Sequence, residues 1–337
     1  MINYVYQLVR PQVFSIKYQN ICPDDGVLVR PRYMSICHAD QRYYLGQREQ
    51  KILDKKLPMA LIHECCGEVI CDKSGTFSSG QNVVLIPNVP GAAVTGIFEN
   101  YLKGSGFLSS GRDGFMRETV CMPAERLVAF DDIPLHIASI TEFVSVGVHA
   151  CTRFSLAAHE HRGTIGIWGD GSLSYVLCCV LKSQFPDSKI VVVGKNPNKL
   201  SLFSFADKTY LVGNLPGDFA VDHAFECAGG EGSYYAIDDI IRYINPQGTA
   251  MLLGVSENKV AINTRDILEK GLTLLGSSRS GRADFEQAVS LLRDKTFQRR
   301  LQVIIYEDAP VRNVKDIHRA FATDLGTPFK TAFEWNI

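Results

Sequence analysis

The segment TIGIWGDGSLS, residues 164–174, decides how this chain folds. An apolar run, TIGIW, ends at Gly169, and the helical pattern SLSYVLCCVLKSQF follows almost at once. Between them Gly169-Asp170-Gly171-Ser172-Leu173-Ser174 has the form of a strand-to-helix GxGxxG turn, with serine in the third glycine position. Such a turn lets backbone approach a pyrophosphate and aims the N–H groups of a helix N-terminus at it. Gly169, Gly171, Ser172 and Leu173 are therefore the expected cofactor-binding residues. Ser174 predicts slightly looser helix-to-strand packing. The Asp170 carboxylate would repel a pyrophosphate and is expected to turn away.

Outward from this segment the strand–helix alternation repeats. KIVVVG (189–194) reads as a second strand, followed by a helix through KLSLFSFA. YLV, DHAFECAG (222–229), TAMLLGV (249–255) and LTLLGSS (272–278) supply further strands with helices between them. This pattern predicts a doubly wound parallel sheet with right-handed crossovers. The N-terminal third differs. GVLVRPRYMSI (26–36), GEVICDKSG (67–75) and NVVLIPNVP (82–90) are short β-rich stretches bounded by turn residues, and 91–114 reads as a Gly- and Ser-rich lobe or long loop. Near residue 143 SVGVHACTRF opens as a helix, while from about 282 the chain shows the helix pattern DFEQAVSLLRD and ends on the strand-like TAFEWNI. The expected class is α/β: a β-rich domain of residues 1–145 and 282–337, interrupted by a Rossmann domain of residues 146–281.

The end of the second strand reports on the cofactor. An acidic residue there accepts hydrogen bonds from the adenosine ribose. Here the chain reads Gly194-Lys195-Asn196, with Lys199 one turn on. Lys195 and Lys199 can pair with a 2′-phosphate, so NADP(H) is expected over NAD(H).

Bulk properties exclude several other classes. The 337 residues allow two cores, and 46% hydrophobic with 21% charged residues is ordinary for a globular protein. A net charge of −1 gives no electrostatic reason to expect nucleic acid or anionic membrane as partner. No apolar run is long enough to span a bilayer, and the start, MINYVYQLVRPQVF, lacks a secretory pattern, so a cytoplasmic location is expected. The 10 cysteines include no CxxC pair, and most read as buried, reduced thiols.

Cys37, the pair His63-Glu64, and Glu142 supply one thiol, one imidazole and two carboxylates, the materials of an open catalytic zinc site. SICHAD, LIHECCGEV and ITEFVSVGVHACTR, in this order and followed by GDGSLS, resemble the zinc-dependent medium-chain dehydrogenase/reductase superfamily over essentially the whole chain. That resemblance implies a GroES-like catalytic domain around a Rossmann NADP-binding domain. SICHADQRYYLG, LPMALIHE, ENYLK, SSGRDGFM, GIWGDGSL, DHAFECAGG and LEKGLTLLGSSRSG together resemble the ribulose-5-phosphate reductases, or ribitol-5-phosphate dehydrogenases. It implies zinc bound by Cys37 and His63, with Glu64 and Glu142 as the carboxylates at the site. It also implies an NADPH-dependent reduction of D-ribulose 5-phosphate to D-ribitol 5-phosphate for teichoic acid or capsule synthesis. A homodimer or tetramer is expected, and a ribitol-5-phosphate cytidylyltransferase acting next on the product. Many superfamily members hold a second, structural zinc with four closely spaced cysteines. The matching stretch here, roughly 88–115, has none, so one zinc per subunit is expected and the lobe must be held otherwise.

Asp40 occupies the position whose side chain orients this region in the family, and Tyr43 or Tyr44 could extend a proton relay from it. The substrate phosphate needs cationic partners, for which Arg42, Lys103, Arg112 and Arg279 are candidates. His149 could line the nicotinamide pocket or merely pack. Two alternatives stay open: an NAD-dependent dehydrogenase of unphosphorylated polyols, and a non-catalytic nucleotide-binding member of the fold.

Overall fold

The computed structural model describes residues 1–337 except 23 and 25. The chain forms two compact units, Met1–Ser145 with Arg279–Ile337, and Val146–Ser278. Gly281, which N-caps the helix Arg282–Leu292, thus belongs to the first unit.

The first unit is built on a seven-stranded sheet. Its strands run Leu127–Ala129, Asn82–Leu85, Glu64–Cys71, Val27–Ser35, Lys330–Trp335 and Ile305–Val311, with Val120–Met122 also pairing to Val27–Ser35. The last strand of the chain is therefore central to a sheet that the first third began. Register fixes the chemistry: Ser35 faces Glu64 on one neighbour and Ala332 on the other. Beneath lie Val29, Met34, Ile36, Leu61, Ile62, Phe115, Phe321 and Phe333, all at most 2% exposed. Each such side chain contributes about 1.5–3 kcal/mol on leaving water.

The lobe without cysteines is held by ordinary chemistry. Asn88–Val89 pairs with Gly106–Phe107, and Glu99 takes two hydrogen bonds from Arg126, at 2.8 and 3.2 Å, and one from the Arg282 amide at 2.8 Å. Ser105 Oγ accepts from the Gly91 amide and donates to the Glu99 carbonyl, both at 3.0 Å.

The second unit holds six parallel strands, in the order Lys208–Leu211, Lys189–Gly194, Thr164–Trp168, His223–Glu226, Thr249–Leu252 and Thr273–Gly276. The strand that opened the sequence argument thus lies third, where chain order reverses and doubly wound sheets bind ligands. One expected element is shorter than its pattern. Only Pro197–Leu200 is helical in the KLSLFSFA region, capped by the Asn196 side chain. Beyond it the chain makes tight turns that bring Phe203 and Phe205 edge-on to Tyr175, at 5.0 and 5.2 Å, so aromatic packing ends the helix. Among the described residues no helix is long and apolar enough to cross a membrane. None of the ten cysteines is joined in a disulfide.

Candidate active site

Local structure explains why the metal-type residues meet. Cys37 precedes the helix His38–Tyr44, and Asp40 in its first turn accepts the Cys37 amide at 3.3 Å. His63 follows Ile62, whose backbone has φ 69°, a strained region for a β-branched residue. The Ile62 amide donates to Asp40 Oδ1 at 3.1 Å, and its carbonyl accepts from the Phe115 amide at 2.7 Å. Those two bonds hold the strained residue and thereby aim His63. Glu64 opens the strand Glu64–Cys71 opposite Ser35.

One ligand atom from each of Cys37, His63 and Glu64 falls within 4.8 Å of the others, the only such cluster among the described residues. Glu142, in the first turn of the helix Thr141–Ala157, lies outside that set but acts electrostatically on it. Asp40 Oδ2 lies 3.4 Å from His63 Nδ1, leaving Nε2 as the nitrogen for a metal. Asp40 Oδ1 also accepts from Ser109 Oγ at 2.5 Å.

The charges are unevenly matched. Asp40 and Glu64 are 0% exposed, and Glu142 is 5% exposed. Glu64 is well partnered: Lys330 Nζ donates to Oε1 at 2.6 Å, and Ser35 Oγ donates to Oε2. Each oxygen keeps a second lone pair. Lys330, itself buried, also donates to the Ile36 carbonyl at 2.8 Å and lies 4.7 Å over the Phe143 ring. Burial pushes its ammonium down, but Glu64 more than offsets this and holds it above its ordinary value. Burial also opposes the charge on Asp40 and His63. Their mutual attraction, with Cys37 beside the imidazole, wins, lowering the Asp40 carboxyl and raising His63 well above the usual histidine range.

Glu142 is the exception. Its carboxylate accepts no hydrogen bond from any described residue, and burial first, with Glu64 and Asp40 nearby, pushes it up to about 7 despite His63 and Lys330. A buried carboxylate without a donor is costly. A divalent cation beside a thiolate, an imidazole and Glu64 would remove that cost, and this donor chemistry suits zinc. The residues fit the metal.

In the second unit, Gly169 has φ 133°, and Gly171 caps the helix Ser172–Gln184 without any side-chain cap. The first-turn N–H groups of Ser172 and Leu173 are thus left for a ligand. Ser174 fits where a third glycine is usual because Gly169 has no Cβ; one built there would lie 2.7 Å from Ser174 Oγ. Asp170 does turn away. Its Oδ2 accepts from the amides of Lys195 at 2.6 Å and Asn196 at 2.7 Å, a fit that requires glycine at 194. A cavity of about 400 Å³ is lined by Gly169, Gly171, Lys195, Lys199 and Tyr235, among others. Its size suits a cofactor fragment.

Other expected residues are placed as follows. Tyr43 Oη accepts from Lys56 Nζ at 2.9 Å, and Lys56 also donates to Ser110 Oγ at 2.9 Å. Tyr44 is turned to His318 Nδ1 at 2.9 Å and stacks on Phe321, a packing position. Arg42 stands in the last turn of its helix and Lys103 is exposed. Arg279 lies over Phe107, and Arg112 against Gly106. His149 is fully buried, in the second unit's part of its helix. Sequence reasoning missed Lys330, Ser35, Ser109 and Lys56. A lysine inside the apolar-rich C-terminal strand was the one available signal.

Comparison with known proteins gives the site its context. The alcohol dehydrogenase GroES-like domain model matches residues 23–132, and the zinc-binding dehydrogenase model matches residues 189–294. A ribulose-5-phosphate reductase of Streptococcus pneumoniae is 55% identical over 340 residues, spanning 100% of this chain and 98% of its own. One from Bacillus spizizenii is 47% identical over 341 residues, with 100% of both chains covered. The crystal structure of S. aureus TarJ in complex with NADPH superposes with a TM-score of 0.88 at 43% identity, over 100% of both chains. The chain belongs to the ribulose-5-phosphate reductase family of zinc-binding dehydrogenases.

Proposed function

We propose that this protein reduces D-ribulose 5-phosphate to D-ribitol 5-phosphate with NADPH, using one zinc ion per subunit. The observation that carries this reading is the Cys37–His63–Glu64 cluster beside a carboxylate, Glu142, that accepts no hydrogen bond among the described residues. Cys37, His63 and Glu64 would hold the ion, with Glu142 balancing its charge. Zinc in such a site polarises a ketone oxygen, and reduced nicotinamide supplies the hydride.

The chain's own residues prepare that chemistry. Asp40 fixes the His63 ring through Nδ1, and Lys330 with Ser35 fixes the orientation of Glu64. The Ser109 hydroxyl donates to Asp40 Oδ1 and so helps to hold that carboxylate against the His63 ring. Lys195 and Lys199, both lining the cavity, would pair with the adenosine 2′-phosphate. With its carboxylate spent on two backbone amides, Asp170 does not oppose the pyrophosphate.

We further infer a cytoplasmic homodimer or tetramer whose product is consumed by a ribitol-5-phosphate cytidylyltransferase in teichoic acid or capsule synthesis. The family membership supports this part of the reading.

NADPH oxidation with D-ribulose 5-phosphate, run beside D-ribulose, D-xylulose 5-phosphate and an NADH control, tests the proposal. Turnover should be fastest with NADPH and D-ribulose 5-phosphate. No rate with any phosphorylated ketose would overturn it, and a preference for NADH with free polyols would favour the polyol dehydrogenase alternative.

A further inference from the structure

We infer that the Lys56 ammonium and the hydroxyls of Tyr43 and Ser110 form the subsite for the phosphate monoester of the substrate, an inference that rests on the reaction proposed above. Of the described lysines in the first unit, only Lys56 and Lys330 are not exposed. Lys330 is matched by a buried carboxylate, Glu64, at 2.6 Å. Lys56 meets hydroxyls instead: its Nζ donates to Tyr43 Oη and to Ser110 Oγ, each at 2.9 Å. No carboxylate among the described residues pairs with it.

The three side chains are all left with something to donate. An ammonium carries three N–H donors, and the third of Lys56 goes to no described residue. Both hydroxyls accept from Lys56, and neither gives its own hydrogen to a described residue. Tyr43 is only 2% exposed, so its O–H cannot rely on bulk water. Three converging donors, one of them charged, complement the acceptor-only oxygens of a phosphate. Arg48 adds positive charge, with its Cζ 5.0 Å from the centre of the Tyr43 ring that Lys56 Nζ also approaches, at 5.7 Å.

One turn of the chain ties this set to the metal-type cluster. The Phe107 ring stands edge-on to the His63 imidazole, with centroids 5.3 Å apart. Ser109 Oγ donates to Asp40, the carboxylate that holds His63. Ser110, whose amide donates to the Phe107 carbonyl at 3.1 Å, meets Lys56. Ser109 takes a left-handed backbone, φ 62°, which is uncommon for a residue with a Cβ and gathers at functional sites. Two successive hydroxyls are thereby sent to different partners. Tyr43 also lies in the helix that Cys37 caps, six residues on, or about 9 Å along the axis. In a 2-ketopentose 5-phosphate three carbon–carbon bonds separate the carbonyl carbon from the phosphate-bearing carbon, and the ester oxygen and phosphorus follow. With its carbonyl at the Cys37–His63–Glu64 cluster, such a chain carries its phosphate over that helical distance.

The test measures kcat and KM for D-ribulose 5-phosphate, the inhibition constant of inorganic phosphate, and zinc content, in wild type, Lys56→Met, Lys56→Arg and Ser110→Asp. Lys56→Met should keep its zinc and raise both KM and the phosphate inhibition constant roughly 10- to 100-fold. Lys56→Arg should recover part of that loss. Ser110→Asp gives the ammonium a carboxylate in place of the phosphate and should raise both constants with Lys56 still present. Wild-type values of both constants in Lys56→Met overturn the subsite alone. Loss of zinc and kcat in Lys56→Met, with wild-type phosphate inhibition in Ser110→Asp, also overturns it, in favour of a structural lysine. A wild type that reduces no phosphorylated ketose overturns the reaction assignment and the subsite with it.

Discussion

Glu142 of the catalytic unit and Glu226 of the nucleotide-binding unit are both buried, and the two are treated in opposite ways. In the nucleotide-binding unit, Glu226 is 1% exposed and fully employed. Its Oε1 accepts from the amides of Ala228 and Gly229 and from Ser233 Oγ, at 2.9, 3.0 and 3.1 Å, and its Oε2 accepts from the Gly254 amide at 2.9 Å. In the catalytic unit, Glu142 is almost as buried and accepts nothing from the described residues. Burial of a charge therefore does not mark a site by itself. A carboxylate whose hydrogen bonds are complete is architecture, tying strand His223–Glu226 to the loops after it. One that accepts no hydrogen bond from the described residues is suited to balance the charge of a cation.

This comparison can be broken or sharpened by substitution, beginning with the strongest effect. Cys37→Ser should abolish metal binding and reduce activity by about 10³-fold or more while leaving NADPH binding intact, as read by metal analysis and cofactor fluorescence. Loss of cofactor binding as well would mean that the variant had misfolded. Lys330→Met strips Glu64 of its buried partner, and thermal unfolding should show a loss of roughly 3–4 kcal/mol. An unchanged melting temperature would show that Glu64 is neutralised in some other way. Glu226→Gln turns an amide nitrogen toward backbone donors and should cost about 2–3 kcal/mol without changing zinc content. Zinc loss in that variant would erase the contrast between the two glutamates.

The smallest effect concerns a buried base of the nucleotide-binding unit. His223 accepts the Thr249 amide through Nδ1 at 3.1 Å, and burial, followed by the His159 and Arg162 charges, pushes its pKa down to about 4. A histidine depressed from 6.5 to about 4 adds nothing to the pH dependence of stability above pH 6.5. Between those values the unfolded chain binds the proton that the folded one refuses, so stability falls as pH falls. His223→Gln should flatten that acid limb in pH-dependent unfolding. A slope equal to wild type would show that other groups produce it.

The sequence made some of this legible, and physics explains which parts. The strand–loop–helix word at 164–174 carries local information, because the turn needs glycines at fixed offsets, and it located both the sheet and the loop. The interrupted arrangement was readable from the change of pattern near residue 143 and from the terminal strand. Asp170 was expected to avoid the pyrophosphate, but its destination on the Lys195 and Asn196 amides depends on how two strand ends converge. The KLSLFSFA pattern suggested a helix that stops at Leu200, since Phe203 and Phe205 gain more by packing on Tyr175. Lys330 was invisible as a partner of Glu64. The two meet only because the final strand pairs beside Val27–Ser35, and sheet register across so long a separation leaves no local trace.

The central claim is that Glu142 is a carboxylate awaiting a cation, whereas Glu226 is a structural one. Thermal unfolding of wild type, Glu142→Gln and Glu226→Gln at pH 8, each with and without chelator, measures this directly. The account predicts that Glu142→Gln melts above wild type once metal is removed, that chelation destabilises it less than wild type, and that Glu226→Gln melts lower in both conditions. If metal-free Glu142→Gln instead melts below metal-free wild type, as Glu226→Gln does, then Glu142 is part of the architecture and the claim fails.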